Sequence, residues 1–162
     1  MIDVFVEYGR NTLHTEFPLV SGRLEQQLLS IGIRQDYIPA RGNDTYKVTL
    51  EALDEAGEEV LSWLGETDSL HDVNFAACMV RRTCPYGYRE FLDMLHPTED
   101  GTYKFYQKFD KREPTQKTGL EGLQDELDRY YFMMQEYKRV CDEEAAAQET
   151  EEQGEDDEGW ER

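Results

Sequence analysis

Between Tyr46 and Leu64 the chain reads Tyr-Lys-Val-Thr-Leu-Glu-Ala-Leu-Asp-Glu-Ala-Gly-Glu-Glu-Val-Leu-Ser-Trp-Leu, and its hydrophobic period changes partway along. Tyr46, Val48 and Leu50 alternate with Lys47, Thr49 and Glu51, the two-residue period of a half-buried strand. Leu53, Val60, Leu61 and Leu64 then outline the apolar stripe of a helix that ends at Gly65. Upstream, Ile2, Val4 and Val6 alternate with Asp3, Phe5 and Glu7, predicting a strand over 2–8. Gly9-Arg10-Asn11 is turn chemistry, and Thr12 to Leu19 predicts a second short strand stopped near Pro18. Ser21 is placed to cap a helix carrying Leu24, Leu28 and Ile31, with Gly32 at its end. Tyr37 to Ala40 and Gly42-Asn43-Asp44 predict a loop or edge hairpin. The class is α+β: a small N-terminal antiparallel sheet of three or four strands with one helix, then a helical region and a long C-terminal amphipathic helix.

Downstream, Ser69 or Asp68 caps a helix whose core side carries Leu70, Val73, Phe75, Ala76, Ala77 and Met79 or Val80. Pro85 and Gly87 break it, and Tyr88 to Leu95 predicts one more short helix. From Thr102 to Phe109, Tyr103, Phe105 and Phe109 alternate with Lys104 and Lys108 as a strand or extended arm. Leu120, Leu123, Leu127, Tyr130, Met134, Tyr137 and Cys141 then recur at steps of three and four, the seam of a long helix. Tyr and Met make a poor zipper, so the seam is expected on the protein's own body, with a homodimeric coiled coil as the alternative. The resulting organisation is 1–51 (small α/β unit), 52–97 (acidic helical unit packed on it), 98–118 (aromatic and basic arm), 119–145 (amphipathic helix) and 146–162 (acidic tail). The tail has almost no apolar residue except Trp160 and is expected to be disordered.

The 162 residues hold 36 acids and 17 bases, for a formal charge of −19. Residues 1–100 hold 18 acids and 8 bases, 101–141 hold 7 and 8, and 142–162 hold 11 and 1. Mean hydropathy is −0.80, and no run approaches the roughly 18 apolar residues of a membrane span. The opening Met1-Ile2-Asp3-Val4 has an acid where a signal peptide carries bases. Three cysteines do not make a disulfide framework and fit a reducing cytoplasm. Like charge opposes direct DNA binding by the acidic body, so a basic partner, or one that ordinarily binds a polyanion, is expected.

Catalytic signatures are missing from the chain. No Gly-rich loop opens a helix after a strand, and Thr118-Gly119-Leu120-Glu121-Gly122 lacks that context. His14, His71 and His96 form no paired-histidine motif. Cys78 and Cys84 have no second pair to complete a zinc site, and a Cys84–His96 nucleophilic pair rests on nothing but residue type. The expectation is a protein that is not an enzyme, with no cofactor and no metal.

Glu51 to Asp72 is the strongest chemical feature: eight acids and no Lys or Arg. Asp54, Glu55, Glu58 and Glu59 sit at helical neighbour spacings, and Glu66, Asp68 and Asp72 follow. If all helical, the segment carries roughly one charge per 4 Å of axis. One DNA strand carries a phosphate per roughly 3.4 Å. A rigid acidic face of that density can occupy a site built for a nucleic-acid backbone, with Asp54, Glu55, Glu58, Glu59, Glu66, Asp68 and Asp72 as phosphate surrogates.

Within this segment, Trp63-Leu64-Gly65-Glu66-Thr67-Asp68-Ser69-Leu70-His71-Asp72-Val73-Asn74-Phe75-Ala76-Ala77 resembles the ArdA-type antirestriction family. There an "LGE…L.ELN.LA"-like stretch follows a small α/β unit; Leu64, Gly65, Glu66, Leu70, Asp72, Val73, Asn74 and Ala76 or Ala77 fill that pattern here. Phe17-Pro18-Leu19 before a helix ending Ser30-Ile31-Gly32-Ile33 is similar in order and spacing, so the likeness covers roughly residues 1–95. The resemblance implies an elongated acidic DNA mimic of a mobile genetic element. Such proteins bind type I restriction–modification enzymes in place of DNA, are usually dimers and need no cofactor. The chain differs from the family in its short Gly9–Phe17 hairpin and in its C-terminal third. Two other functions suit the same sequence. One is a non-enzymatic adaptor of a mobile element that meets a partner, or its own copy, through the C-terminal helix. The other is a nucleic-acid-binding accessory whose Lys104, Lys108, Lys111 and Arg112 interleave with Tyr103, Phe105, Tyr106 and Phe109 to stack on single strands.

Overall fold

The computed structural model describes residues 1–84, 92–93, 95–96, 107–110, 112–113 and 115–160, the side chains of residues 107 and 150–160 excepted. The elements are β1 (Ile2–Tyr8), β2 (Asn11–Phe17), α1 (Arg23–Ser30), β3 (Tyr46–Ala52), α2 (Glu55–Ser62), α3 (Leu70–Thr83), a 3-10 turn (Gln107–Phe109) and α4 (Gly119–Trp160). The architecture is α+β.

The strands form one antiparallel sheet in the order β2-β1-β3. Its register sets Ile2 opposite both Phe17 and Ala52, and Val6 opposite both Leu13 and Val48. Because side chains alternate along a strand, this register sends Ile2, Val4, Val6 and Phe17 into the core and leaves Phe5, His14, Glu16, Thr49 and Glu51 outside. Among the described residues, the helices cover the inner face.

α1 starts differently from the expectation. Ser21 makes no capping bond; the turn closed by the Arg23 N–H and the Val20 carbonyl (3.0 Å) places left-handed Gly22 at the N-cap. The end of α1 matches the sequence signal. Gly32, at positive φ, donates to the Leu29 carbonyl (3.0 Å), and Ile33 reaches back to that of Leu28 (3.0 Å), so two terminal carbonyls are satisfied.

In α2 the buried stripe is Ala56, Gly57 and Val60, whereas Leu53, expected on it, is half exposed. Leu53 still belongs to the strand edge, where its N–H donates to the Met1 carbonyl (2.9 Å). Gly57 packs on that same carbonyl: a Cβ there falls 2.1 Å from Met1 O, so only glycine lets α2 approach the sheet this closely.

α3 buries Leu70, Val73, Ala76, Ala77 and Val80. Phe75, expected among them, is 56% exposed. At about 100° per residue it lies roughly 150° around the helix from the buried face, together with His71, Cys78 and Arg82.

α4 packs its seam on the protein's own body, against α3. Leu120, Leu123, Leu127 and Tyr130 are buried as expected, but in the next turn Met133 is buried and Met134 only half so. A straight helix drifts about 20° per heptad from a 3.5-residue repeat. The covering surface changes too, since Phe109 of the 3-10 turn meets Tyr137 edge-on (centroids 5.3 Å apart) and Asp110 pairs with Arg129. Residues 107–109 are therefore a turn rather than part of an extended arm. Of the rest of the 98–118 arm, 98–106, 111 and 114 lie outside the described residues, as do the expected break at Pro85 and Gly87 and residues 88–91 and 94 of the expected short helix. Beyond Val140 the described side chains are exposed on every side, and the α4 backbone is helical through Trp160, across the stretch expected to be disordered. Ala145-Ala146-Ala147-Gln148-Glu149 are all strong helix formers, which favours continuing the preceding turns.

Candidate functional site

The seven carboxylates singled out between Asp54 and Asp72 divide into two kinds. Asp54 caps α2, its Oδ1 accepting from the Gly57 N–H (2.8 Å) and its Oδ2 lying 3.7 Å from the N-terminal amine. Glu59 accepts from the Trp63 indole N–H (3.2 Å) with one oxygen and faces His96 Nε2 (2.9 Å) with the other. Asp72 closes a capping box on α3: Ser69 N–H donates to its Oδ2 (2.8 Å) while its own N–H donates to Ser69 Oγ (3.2 Å).

Asp68 is the busiest of the four. Its Oδ2 accepts from the Gly65 N–H (2.7 Å) and, across 52 residues of sequence, from the Leu120 N–H (3.0 Å) at the start of α4. A carboxylate at a helix N-terminus satisfies an orphan donor and complements the helix dipole. Gly65 and Gly119 flank it so tightly that a Cβ on either one falls 3.0 Å from the same oxygen, and Gly119 has positive φ. The loop around Asp68 is held from the other side as well. Arg41 donates to the Leu64 carbonyl (2.8 Å), Tyr37 to that of Thr67 (2.8 Å) and the Ala40 N–H to that of Asp68 (2.9 Å). The Trp63–Asp72 segment is thus the joint where α2, α3, α4 and the loop before β3 meet.

Glu55, Glu58 and Glu66 are the other kind: exposed, with no side-chain hydrogen bond or ion pair among the described residues. A feature missed at the level of sequence joins them. On the outer face of the sheet Glu16, Asp3 and Glu51 occupy one cross-strand row. Like charges directly opposite one another destabilise a strand pair. Asp3 is relieved by His14 Nε2 (2.7 Å) and Glu16 by the N-terminal amine (3.0 Å), while none of the described residues pairs with Glu51. The amine lies near both Glu16 (3.0 Å) and Asp54 (3.7 Å), which ties the end of β2 to the start of α2. Only the strand register brings Glu16 to Glu51, and no local signal in the sequence carries it.

The helix seam residues Leu120, Leu123, Leu127 and Tyr130 are occupied within the chain, and Met134 and Tyr137 are half-buried. Lys108 and Arg112 of the basic arm are exposed, whereas Tyr103, Lys104, Phe105, Tyr106 and Lys111 lie outside the described residues. Among the described residues no His, Cys, Asp and Glu side chains gather into a group fit for a metal ion, and no helix is long and apolar enough to cross a membrane. Cys78 and Cys84 are separate in role: burial pushes the Cys78 thiol up, with Arg81 opposing, and Cys84 is buried at the end of α3. No protein-family model, curated protein or solved structure matches the chain.

Proposed function

We propose that the protein is an antirestriction-like DNA mimic. It binds a DNA-binding enzyme, with a type I restriction–modification complex as the named target, through exposed carboxylates that stand in for phosphates. The support for this reading is the cross-strand row Glu16–Asp3–Glu51 on the outer face of the sheet, together with the exposed side chains of Glu55, Glu58 and Glu66. Adjacent strands lie about 4.8 Å apart, so the row offers charges at a spacing near that of one DNA strand, on a rigid support. The surrogates in this reading are Asp3, Glu16, Glu51, Glu55, Glu58 and Glu66, whereas Asp54, Asp68 and Asp72 are spent on helix starts and Glu59 on Trp63 and His96. No cofactor enters the function.

The test is ATP-dependent DNA cleavage by a purified type I restriction enzyme, with the protein added at low and high salt. Inhibition that weakens with salt and yields to excess DNA is expected, because a polyanion mimic shares the salt dependence of the duplex it replaces. Glu58→Gln alone should change little. Joint neutralisation of Glu51, Glu55, Glu58 and Glu66 to Gln should abolish inhibition without lowering thermal stability. A folded protein that never inhibits, or one silenced by Glu58→Gln alone, sinks the proposal.

A further inference from the structure

The outer face of α3 has a feature that phosphate mimicry does not use. Phe75 is 56% exposed although Val73, Ala76 and Ala77 beside it are buried. It stands between two depressions. One, about 530 Å³, lies between α3 and the β2–α1 turn and is lined by Leu19, Ser21, His71 and Asn74. The other, about 300 Å³, lies between α3 and α4 and is lined by Met79, Arg82 and Gln124. Phe75 and Cys78 line both, which makes them one groove with an aromatic ring at its middle.

The walls are fixed. The Leu19 N–H donates to Asn74 Oδ1 (2.7 Å), and the Leu19 carbonyl accepts from Asn74 Nδ2 (3.1 Å) and from the Cys78 thiol (3.3 Å). The rim is acidic: Glu25, Asp72, Glu121, Asp125 and Asp128 outnumber Arg82 and Lys117 by three. Lys117 is already held by Glu121 (3.2 Å) and Asp125 (3.5 Å). An exposed aromatic residue between preformed depressions, with a rim of net negative charge, has the anatomy of a binding hot spot.

We infer that this groove docks a basic protein segment carrying a large apolar side chain, with Phe75 as the anchor and the rim carboxylates receiving Lys or Arg. Charge complementarity selects this occupant: the rim is net acidic, on a chain of charge −19. The inference is independent of the restriction-enzyme proposal.

Two synthetic peptides of equal length and charge serve as probes, a lysine–leucine amphipath and its lysine–serine counterpart. At about 150 mM salt, where exposed charges are screened beyond roughly 8 Å, the leucine peptide should bind about thirtyfold more tightly, one hot-spot contact's worth. Phe75→Ser should erase that preference without lowering the melting temperature, because the ring is largely in water, and Phe75→Tyr should keep it. Equal binding of the two peptides overturns the inference, and so does a leucine preference that survives Phe75→Ser. Sedimentation showing a dimer that Phe75→Ser dissociates also overturns it, by assigning the groove to a second copy. The peptides contain no restriction enzyme, so failure of the cleavage assay leaves this test intact.

Discussion

The Trp63–Asp72 joint and the outer face of the sheet are both acidic, yet their carboxylates do different work. In the joint, Asp68 and Asp72 accept from backbone N–H groups that would otherwise be orphans at the starts of α4 and α3. On the sheet, Glu16, Asp3 and Glu51 face one another across strands; Glu16 and Asp3 are partly offset by the N-terminal amine and His14, and Glu51 presents its charge to water. The first arrangement lowers the energy of the fold; the second raises it slightly and leaves charge available to a partner. A count of acids in the sequence merges the two, and only the hydrogen-bond partners separate them.

The contrast is sharpest at Asp68. Asp68→Ala leaves the Gly65 and Leu120 N–H groups without their acceptor and is expected to cost about 2–3 kcal/mol, read as a lower denaturation midpoint. Asp68→Asn, which keeps one carbonyl oxygen, should cost less. If Asp68→Ala is neutral in denaturant, α4 is not seated by this carboxylate and the joint is no joint. Asp72→Ala opens the capping box and should cost about 1 kcal/mol in the same experiment. Glu51→Gln on the sheet should act in the opposite direction, stabilising by a few tenths of a kcal/mol as the row loses one repulsion. A clear loss of stability there would place Glu51 among the structural acids.

The smallest effect concerns the thiols. Burial raises the Cys78 pKa, so the fold favours the neutral thiol. Its contribution to stability is complete below the unfolded value, about pH 8.5, and is lost as pH rises through the higher folded value. Timed iodoacetamide labelling at mildly alkaline pH, followed by peptide mass spectrometry, should therefore modify exposed Cys141 first and Cys78 and Cys84 later. Labelling of Cys78 as fast as Cys141 would mean the Leu19–Cys78 contact does not hold that wall of the groove.

Much of the fold is legible in local patterns. The alternation at 2–8 and 46–52, the Gly32 stop, the Ser69 cap and the Leu120–Tyr130 seam each depend on residues within a few positions of one another. The errors share a cause. Leu53 and Phe75 are apolar and at plausible spacing, but which side of a helix is covered depends on distant chain: the Met1 carbonyl under Gly57, and α2, β2 and α4 against α3. Met133 replaces Met134 in the core for the same reason, since the 3-10 turn covers that end of α4 in place of α3.

The sequence by itself determined the α+β class, the order of the elements and the surplus of negative charge, because strand and helix periods and charge are local or additive properties. The tertiary structure alone decided which carboxylates remain free. Hydrogen bonds such as Leu120 N–H to Asp68 span 52 residues, and cross-strand rows such as Glu16–Asp3–Glu51 exist only once register is set. The same long-range packing leaves Phe75 in water, where its ring is available to another molecule.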